Sequence, residues 1–168
     1  FVDLINERYI GRKLIYDFLK ENEKYLTGKL LDFGCGSKQY FPVFKHADEY
    51  AGLDVDTAMK YGFKADGITY YDGLKIPFDG NSFDSCVAIE VFEHIQDIHY
   101  SLSEIYRVLK PGGYLVTTCP MVYPIHMAPD DYWRYTDFGL KGMLNTSGFE
   151  IIKTERSSSF QNTLRRLK

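Results

Sequence analysis

Leu4, Ile5, Leu14, Ile15, Phe18 and Leu19 fall on one stripe at helical spacing, which predicts a helix within residues 1–27 that lies against a sheet. Six short apolar runs follow: KLLDF (29–33), EYAGLD (49–54), ITYYD (68–72), DSCVAIE (84–90), GYLVTTC (113–119) and FEIIKTE (149–155). Each has strand length and is bounded by polar or glycine-containing turns. Between the fourth and fifth runs, Ile98, Leu102, Ile105 and Leu109 repeat at steps of four, three and four, and KPGG (110–113) supplies the stop. A further helix is predicted from Asp137 to Thr146, with Thr136 or Asp137 as its N-cap and Gly148 in the left-handed position at its end. Strands alternating with helices imply an α/β fold with a mainly parallel, doubly wound sheet and helices on both faces. Only six strands are legible.

One stretch departs from the alternation. Residues 120–136, PMVYPIHMAPDDYWRYT, are long, aromatic and proline-rich, and a connection of that length in a compact fold is functional or disordered. Trp133 and its tyrosine and histidine neighbours favour a functional lid. Composition adds bounds: 168 residues suit one domain spanning 1–168, and 45% hydrophobic with 26% charged residues is ordinary for a globular chain. No apolar run approaches the ~20 residues of a membrane span. A net charge of -3 weighs against a nucleic-acid partner. The basic end LRRLK (164–168) is expected to be a solvated helix face. Cys35, Cys86 and Cys119 are odd in number, widely spaced and without a C-x-x-C pair, so they are expected in the core of a protein in a reducing, cytoplasmic setting. The chain begins at Phe1 with no secretory leader in view.

The chemistry starts at LLDFGCGSKQY (30–40), where a strand breaks into an acid and two glycines. Gly34 and Gly36 allow backbone to approach a ligand without a Cβ between them. A dinucleotide fingerprint would have a third glycine at position 39, which is Gln39, so a pyrophosphate ligand is disfavoured. Asp54 ends the second strand 18 residues after Gly36, the spacing at which a carboxylate reaches both ribose hydroxyls. Asp72 ends the third strand beside Gly73, placing a carboxylate for an adenine amino group and a backbone N–H for a ring nitrogen.

LLDFGCG, GLDVD, YDGLKIPFDGNSFD, IEVFEHI, EIYRVLKPGGYLVTT and DYWRYTDFGLKGMLNTSGFEI, taken together and in order, resemble class I S-adenosylmethionine-dependent methyltransferases of the small type 11 kind, over residues 28 to 155. The resemblance implies a Rossmann-like fold whose seventh strand is not recognisable here. It implies a donor site made by Asp32, Gly34, Gly36, Asp54, Val55, Asp72 and Gly73, with Glu90 near the methionine end. The residues suit that ligand: Asp32 matches its ammonium, amides at a helix N-terminus match its carboxylate, and Val55 offers an apolar face to adenine.

Methyl transfer from a sulfonium depends on holding nucleophile and methyl carbon in line, and a hydroxyl acceptor also needs a base. Among the titratable residues after strands four and five, His126 in the lid is the expected base, with Glu90 and Asp131 as further catalytic candidates. Tyr123, His126, Tyr132 and Trp133 are expected against the acceptor, and Arg134 is expected to pair with an acidic group on it. The DDYWRYT segment resembles a lid in methyltransferases encoded with polysaccharide or glycolipid genes. The function expected is therefore O-methylation of a small molecule or of a glycan or glycolipid precursor. The alternatives are an N-, carboxyl- or RNA-end methyltransferase and a catalytically silent S-adenosylmethionine-binding regulatory domain. Glu90-x-x-Glu93-His94 resembles the metal-binding segment of some ubiquinone-pathway and small-RNA O-methyltransferases, with His126 as a fourth group. The same run is common where the histidine packs under the sheet, and no metal is expected.

Overall fold

Seven strands form one sheet in the order β3-β2-β1-β4-β5-β7-β6. They are β1 (Gly28–Phe33), β2 (Ala47–Val55), β3 (Ile68–Tyr71), β4 (Phe83–Ile89), β5 (Leu109–Pro120), β6 (Phe149–Arg156) and β7 (Phe160–Leu167), with helices α1 (Glu7–Glu21), α2 (Ile98–Val108) and α3 (Asp137–Thr146). The computed structural model describes residues 7–156 and 160–167, so Leu4 and Ile5 of the expected helical stripe lie outside the described residues. The first five strands pair in parallel. β7 enters antiparallel between β5 and β6.

Strand alternation sorts the core onto two faces. Leu31, Cys86, Ala88 and Leu115 point to the side covered by α2 and α3, where Leu102, Ile105, Leu140 and Leu144 are buried. Leu30, Val87 and Val116 point to the other side, against Ile15, Phe18 and Leu19 of α1 and against Val43 and Phe44. All three cysteines are buried and free, in keeping with their expected core role. The N-cap of α2 is Asp97, accepting from the Tyr100 amide, and that of α3 is Thr136, accepting from the Gly139 amide. Gly148 follows α3 with φ +90, and a Cβ there would meet the Tyr106 ring at 2.7 Å.

Four expectations are corrected. The sheet has a seventh strand, and LRRL belongs to it rather than to a helix face; Lys168 lies outside the described residues. Helix α2 stops at Val108, and KPGG already belongs to β5, because the residue before a proline is forced toward extended backbone. β1 and β2 are followed by 3-10 segments, Phe41–Val43 and Asp56–Tyr61, rather than α-helices. Pro42, which has no amide hydrogen, lies inside the first, and the left-handed Gly62 closes the second. Arg107 compensates for the missing helix after β3: it donates to the Phe78 and Ile76 carbonyls, both at 2.9 Å, and so fastens that loop to α2.

The chain runs from β1 out to β3 and then returns to place β4 on the other side of β1. That reversal leaves a crevice beyond the carboxyl ends of β1 and β4.

Candidate active site

A cleft of about 1340 Å³ opens at this reversal. Gly34 leaves β1 with φ +72 and Gly36 follows with φ +53. A Cβ on Gly34 would lie 2.4 Å from Val91 Cγ2, so the turn is glycine for steric as well as conformational reasons. Asp54 closes the turn from β2: its two carboxylate oxygens accept from the Gly36 and Val55 amides, each at 2.8 Å. The expected row of free amides at a helix N-terminus is absent from this turn. The Gly34 and Cys35 amides donate to the Leu53 carbonyl at 2.8 and 3.1 Å, Gly36 donates to Asp54, and no α-helix follows. The glycines shape the floor of the cleft, and the carboxylates supply its polarity.

Asp32 is 5% exposed and accepts from the Tyr50 hydroxyl at 2.7 Å. Burial raises its pKa to about 7; the Tyr50 hydrogen bond opposes the shift and the nearby Asp54 adds to it. Burial also raises Asp54, against the pull of its two amide donors. Asp72 is exposed and accepts from the Leu74 amide at 2.9 Å, while Gly73 turns with φ +82 directly over Val55 Cγ1. Across the cleft, Glu90 has φ +54 and accepts from Thr118 Oγ1 at 2.7 Å. Burial raises it to about 7 as well.

The lid, residues 121–135, has no regular ladder and is stitched to the segment after β4. The Tyr132 and Trp133 amides donate to the Glu93 carbonyl, Trp133 Nε1 to Ile95 at 2.9 Å and the Tyr135 hydroxyl to Phe92 at 3.1 Å. Asp130 joins the two rims, accepting from Tyr61 at 2.6 Å and from Tyr132 at 3.0 Å. His126 Nδ1 lies 3.2 Å from Asp131 Oδ2, which also accepts the His126 amide. Arg134 grips Asp131 through both terminal nitrogens at 2.6 and 2.8 Å and holds its carboxyl well below the usual range. Edge-on to His126 stand His94 at 4.8 Å and Tyr123 at 5.0 Å. His94 Nδ1 faces the Asp130 carbonyl, and burial lowers its pKa. Beneath them Glu93 is fully buried, pushed well above the carboxylate range by burial, with neither oxygen hydrogen-bonded.

The cleft therefore brings together Asp32, Gly34, Gly36, Asp54, Val55, Asp72, Gly73, Glu90, Tyr123, His126 and Tyr132. It does not bring in Trp133, Arg134 or Asp131. Arg134 spends its remaining donors on the Tyr123, Pro124 and Trp133 carbonyls, so it braces the lid instead of reaching an acceptor. Asp131 is set behind His126. Arg12, Tyr40, Tyr61 and Phe63 also line the cleft and were not anticipated. Arg12 carried a signal: it lies three residues before Ile15, a polar side chain on the apolar stripe of α1.

A family model described as "Methyltransferase domain" matches residues 31–117. A sterol 24-C-methyltransferase of Neurospora crassa is 32% identical over 127 residues, covering 63% of this chain and 33% of that protein. A phthiotriol/phenolphthiotriol dimycocerosates methyltransferase of Mycobacterium ulcerans is 30% identical over 103 residues, covering 55% and 38%. The chain thus spans little more than a third of the length of these curated relatives. Among solved structures, a SAM dependent methyltransferase from Aquifex aeolicus superposes with a TM-score of 0.70 at 20% identity, over 94% of this chain and 89% of the other, which establishes the shared fold. Among the described residues, no helix is long and apolar enough to cross a membrane.

Proposed function

Because the chain belongs to the methyltransferase-domain family, of the class I S-adenosylmethionine-dependent type, we propose that its cleft transfers a methyl group from S-adenosylmethionine to a hydroxyl oxygen of a small molecule or of a glycan or glycolipid precursor. The observation that carries this reading is the meeting, in one cleft, of a carboxylate-lined glycine turn with a histidine whose Nδ1 is held by the Pro124 carbonyl beside Asp131. The turn fits the donor because Gly34, Gly36 and Gly73 keep their approach free of Cβ atoms while Asp32, Asp54 and Asp72 present acceptors around it. Bound there, the donor supplies an electrophilic methyl carbon on a sulfonium. Asp54 and Asp72 hold the adenosyl part, Val55 lies against the adenine, and Asp32 faces the ammonium. Glu90 borders the methionine end.

On the acceptor side, the Pro124 carbonyl, 3.3 Å from His126 Nδ1, holds the proton of that nitrogen beside Asp131, which leaves Nε2 as the basic nitrogen. As the oxygen forms its bond to the methyl carbon and the carbon–sulfur bond breaks, the hydroxyl proton passes to Nε2 and S-adenosylhomocysteine departs. Tyr123 and Tyr132 line the approach. Val122 and Ile125, 66% and 82% exposed beside it, give the entrance an apolar rim suited to an acceptor with a lipid portion.

Calorimetry with S-adenosylhomocysteine, followed by transfer of labelled methyl to hydroxylated glycan and glycolipid acceptors, tests the reading. Product binding with label in an ether linkage is the expected result. No product binding, or label appearing only on nitrogen or carbon, overturns it.

A further inference from the structure

We propose that Glu93, His94 and His126 form a binding site for one divalent transition-metal ion, on the acceptor side of the cleft. Ligand atoms of the three residues lie within 4.8 Å of one another, and His94 Nε2 is 3.7 Å from Glu93 Oε1. Glu93 is the observation that most demands a partner. It is 0% exposed, and neither of its oxygens accepts a hydrogen bond. A buried carboxyl in that state calls for an ion or a water, because leaving it unsatisfied costs free energy in a low-dielectric site.

The two imidazoles are oriented as ligands are. His94 Nδ1 is turned to the Asp130 carbonyl, and His126 Nδ1 to the Pro124 carbonyl at 3.3 Å, with Asp131 beside it. Each ring therefore has its Nδ1 side occupied and Nε2 left with a lone pair, the outer-shell arrangement that fixes metal-bound histidines. Two nitrogens and one oxygen suit Zn²⁺ and its first-row neighbours better than Mg²⁺ or Ca²⁺, which take oxygen-rich sets. Donor atoms around a tetrahedral ion with bonds of ~2.1 Å sit about 3.4 Å apart, so the site closes with a shift of about one ångström or less in the side chains. Glu90 falls outside the set because its carboxylate is turned to Thr118. Of the four groups that the sequence resemblance offered, Glu90, Glu93, His94 and His126, the last three come together.

The catalytic consequence rests on the methyl-transfer reading. Because His126 becomes a ligand when the ion is bound, the proton transfer to its Nε2 belongs to the metal-free protein.

The test uses the full chain, stripped with chelator and titrated with Co²⁺ and Zn²⁺, with S-adenosylhomocysteine binding measured in parallel. One equivalent of Co²⁺ with a visible d–d spectrum, displaced by Zn²⁺, is expected. Glu93→Gln should weaken Zn²⁺ at least tenfold while product binding persists; if that variant also loses product binding, His126→Gln in the lid takes its place with the same expectation. Substoichiometric Co²⁺, or Zn²⁺ affinity unchanged in the variant that keeps product binding, overturns the site. Loss of product binding by the unsubstituted chain instead overturns the methyl-transfer reading and leaves the metal titration to be judged separately.

Discussion

Gly34→Ala isolates the turn on which the donor site is built. Two costs act together there. At φ +72 an L-residue carries the left-handed penalty, about 1–2 kcal/mol. The new methyl would also stand 2.4 and 2.7 Å from the two γ-carbons of Val91, a stiff β-branched side chain that has no rotamer to retreat into. Overpacking of that kind costs about 1–3 kcal/mol, so the sum is roughly 2–5 kcal/mol. With a urea slope of about 2 kcal/mol per M, the unfolding midpoint should fall by about 1–2.5 M. The two costs separate in a double-mutant cycle with Val91→Ala, which removes the clash and leaves the backbone penalty. The expected coupling is favourable by about 1–3 kcal/mol. An unchanged midpoint in Gly34→Ala refutes the left-handed turn. A coupling indistinguishable from zero refutes the steric argument and leaves the backbone penalty as the whole effect.

Three further outcomes follow from the electrostatics of the cleft. Asp32 has its pKa raised from 3.8 to about 7, so its contribution to stability is present below the unfolded value and is lost as pH rises through the window from about 4 to 7. Asp32→Asn should flatten that slope in pH-dependent urea melts, and in the unsubstituted protein S-adenosylmethionine affinity should tighten up to pH about 7 as the carboxylate ionises; a pH-independent affinity rejects its role at the ammonium. Asp54→Asn should weaken product binding by about 1.5–3 kcal/mol, roughly 10- to 100-fold by calorimetry, because hydrogen bonds to a charged acceptor are lost. His126→Gln should lower turnover by about 10²- to 10⁴-fold with product affinity unchanged, and equal turnover would remove it from proton transfer.

The parts of the fold that sequence made legible are those whose pattern is set by burial. DSCVAIE reads as a strand because β4 is covered on both faces, and six of its seven residues from Phe83 to Ile89 are buried. α3 was legible to the residue because its cap and its terminal glycine are local requirements. β7 was not. FQNTLRRL shows no apolar face, and its strand character comes from the backbone groups of β5 and β6, which it satisfies on both sides. No residue within the segment encodes that demand. The 3-10 segments after β1 and β2 were missed for a related reason: alternation of strands predicts that a crossover exists without fixing how much of it is helical.

The acceptor half shows the same division in its chemistry. A lid without a regular ladder must find partners for its carbonyls and amides within reach, and buried backbone groups are rarely left unpaired. Arg134 meets that need with five N–H groups in one plane, taking three lid carbonyls and Asp131 together. Trp133 does so with one, toward Ile95. Residue type therefore announced correctly that these side chains would donate hydrogen bonds, and wrongly that an acceptor would receive them. Arg134 acts on the backbone around His126: the guanidinium fixes the Asp131 carboxylate, that carboxylate accepts the His126 amide, and the Pro124 carbonyl is shared by Arg134 and His126 Nδ1. The same logic explains why the unsatisfied state of the Glu93 carboxyl shows only in three dimensions. In sequence it is one member of an E-x-x-E-H run, whereas in the fold it is the acid whose backbone the lid engages while its carboxyl accepts no hydrogen bond.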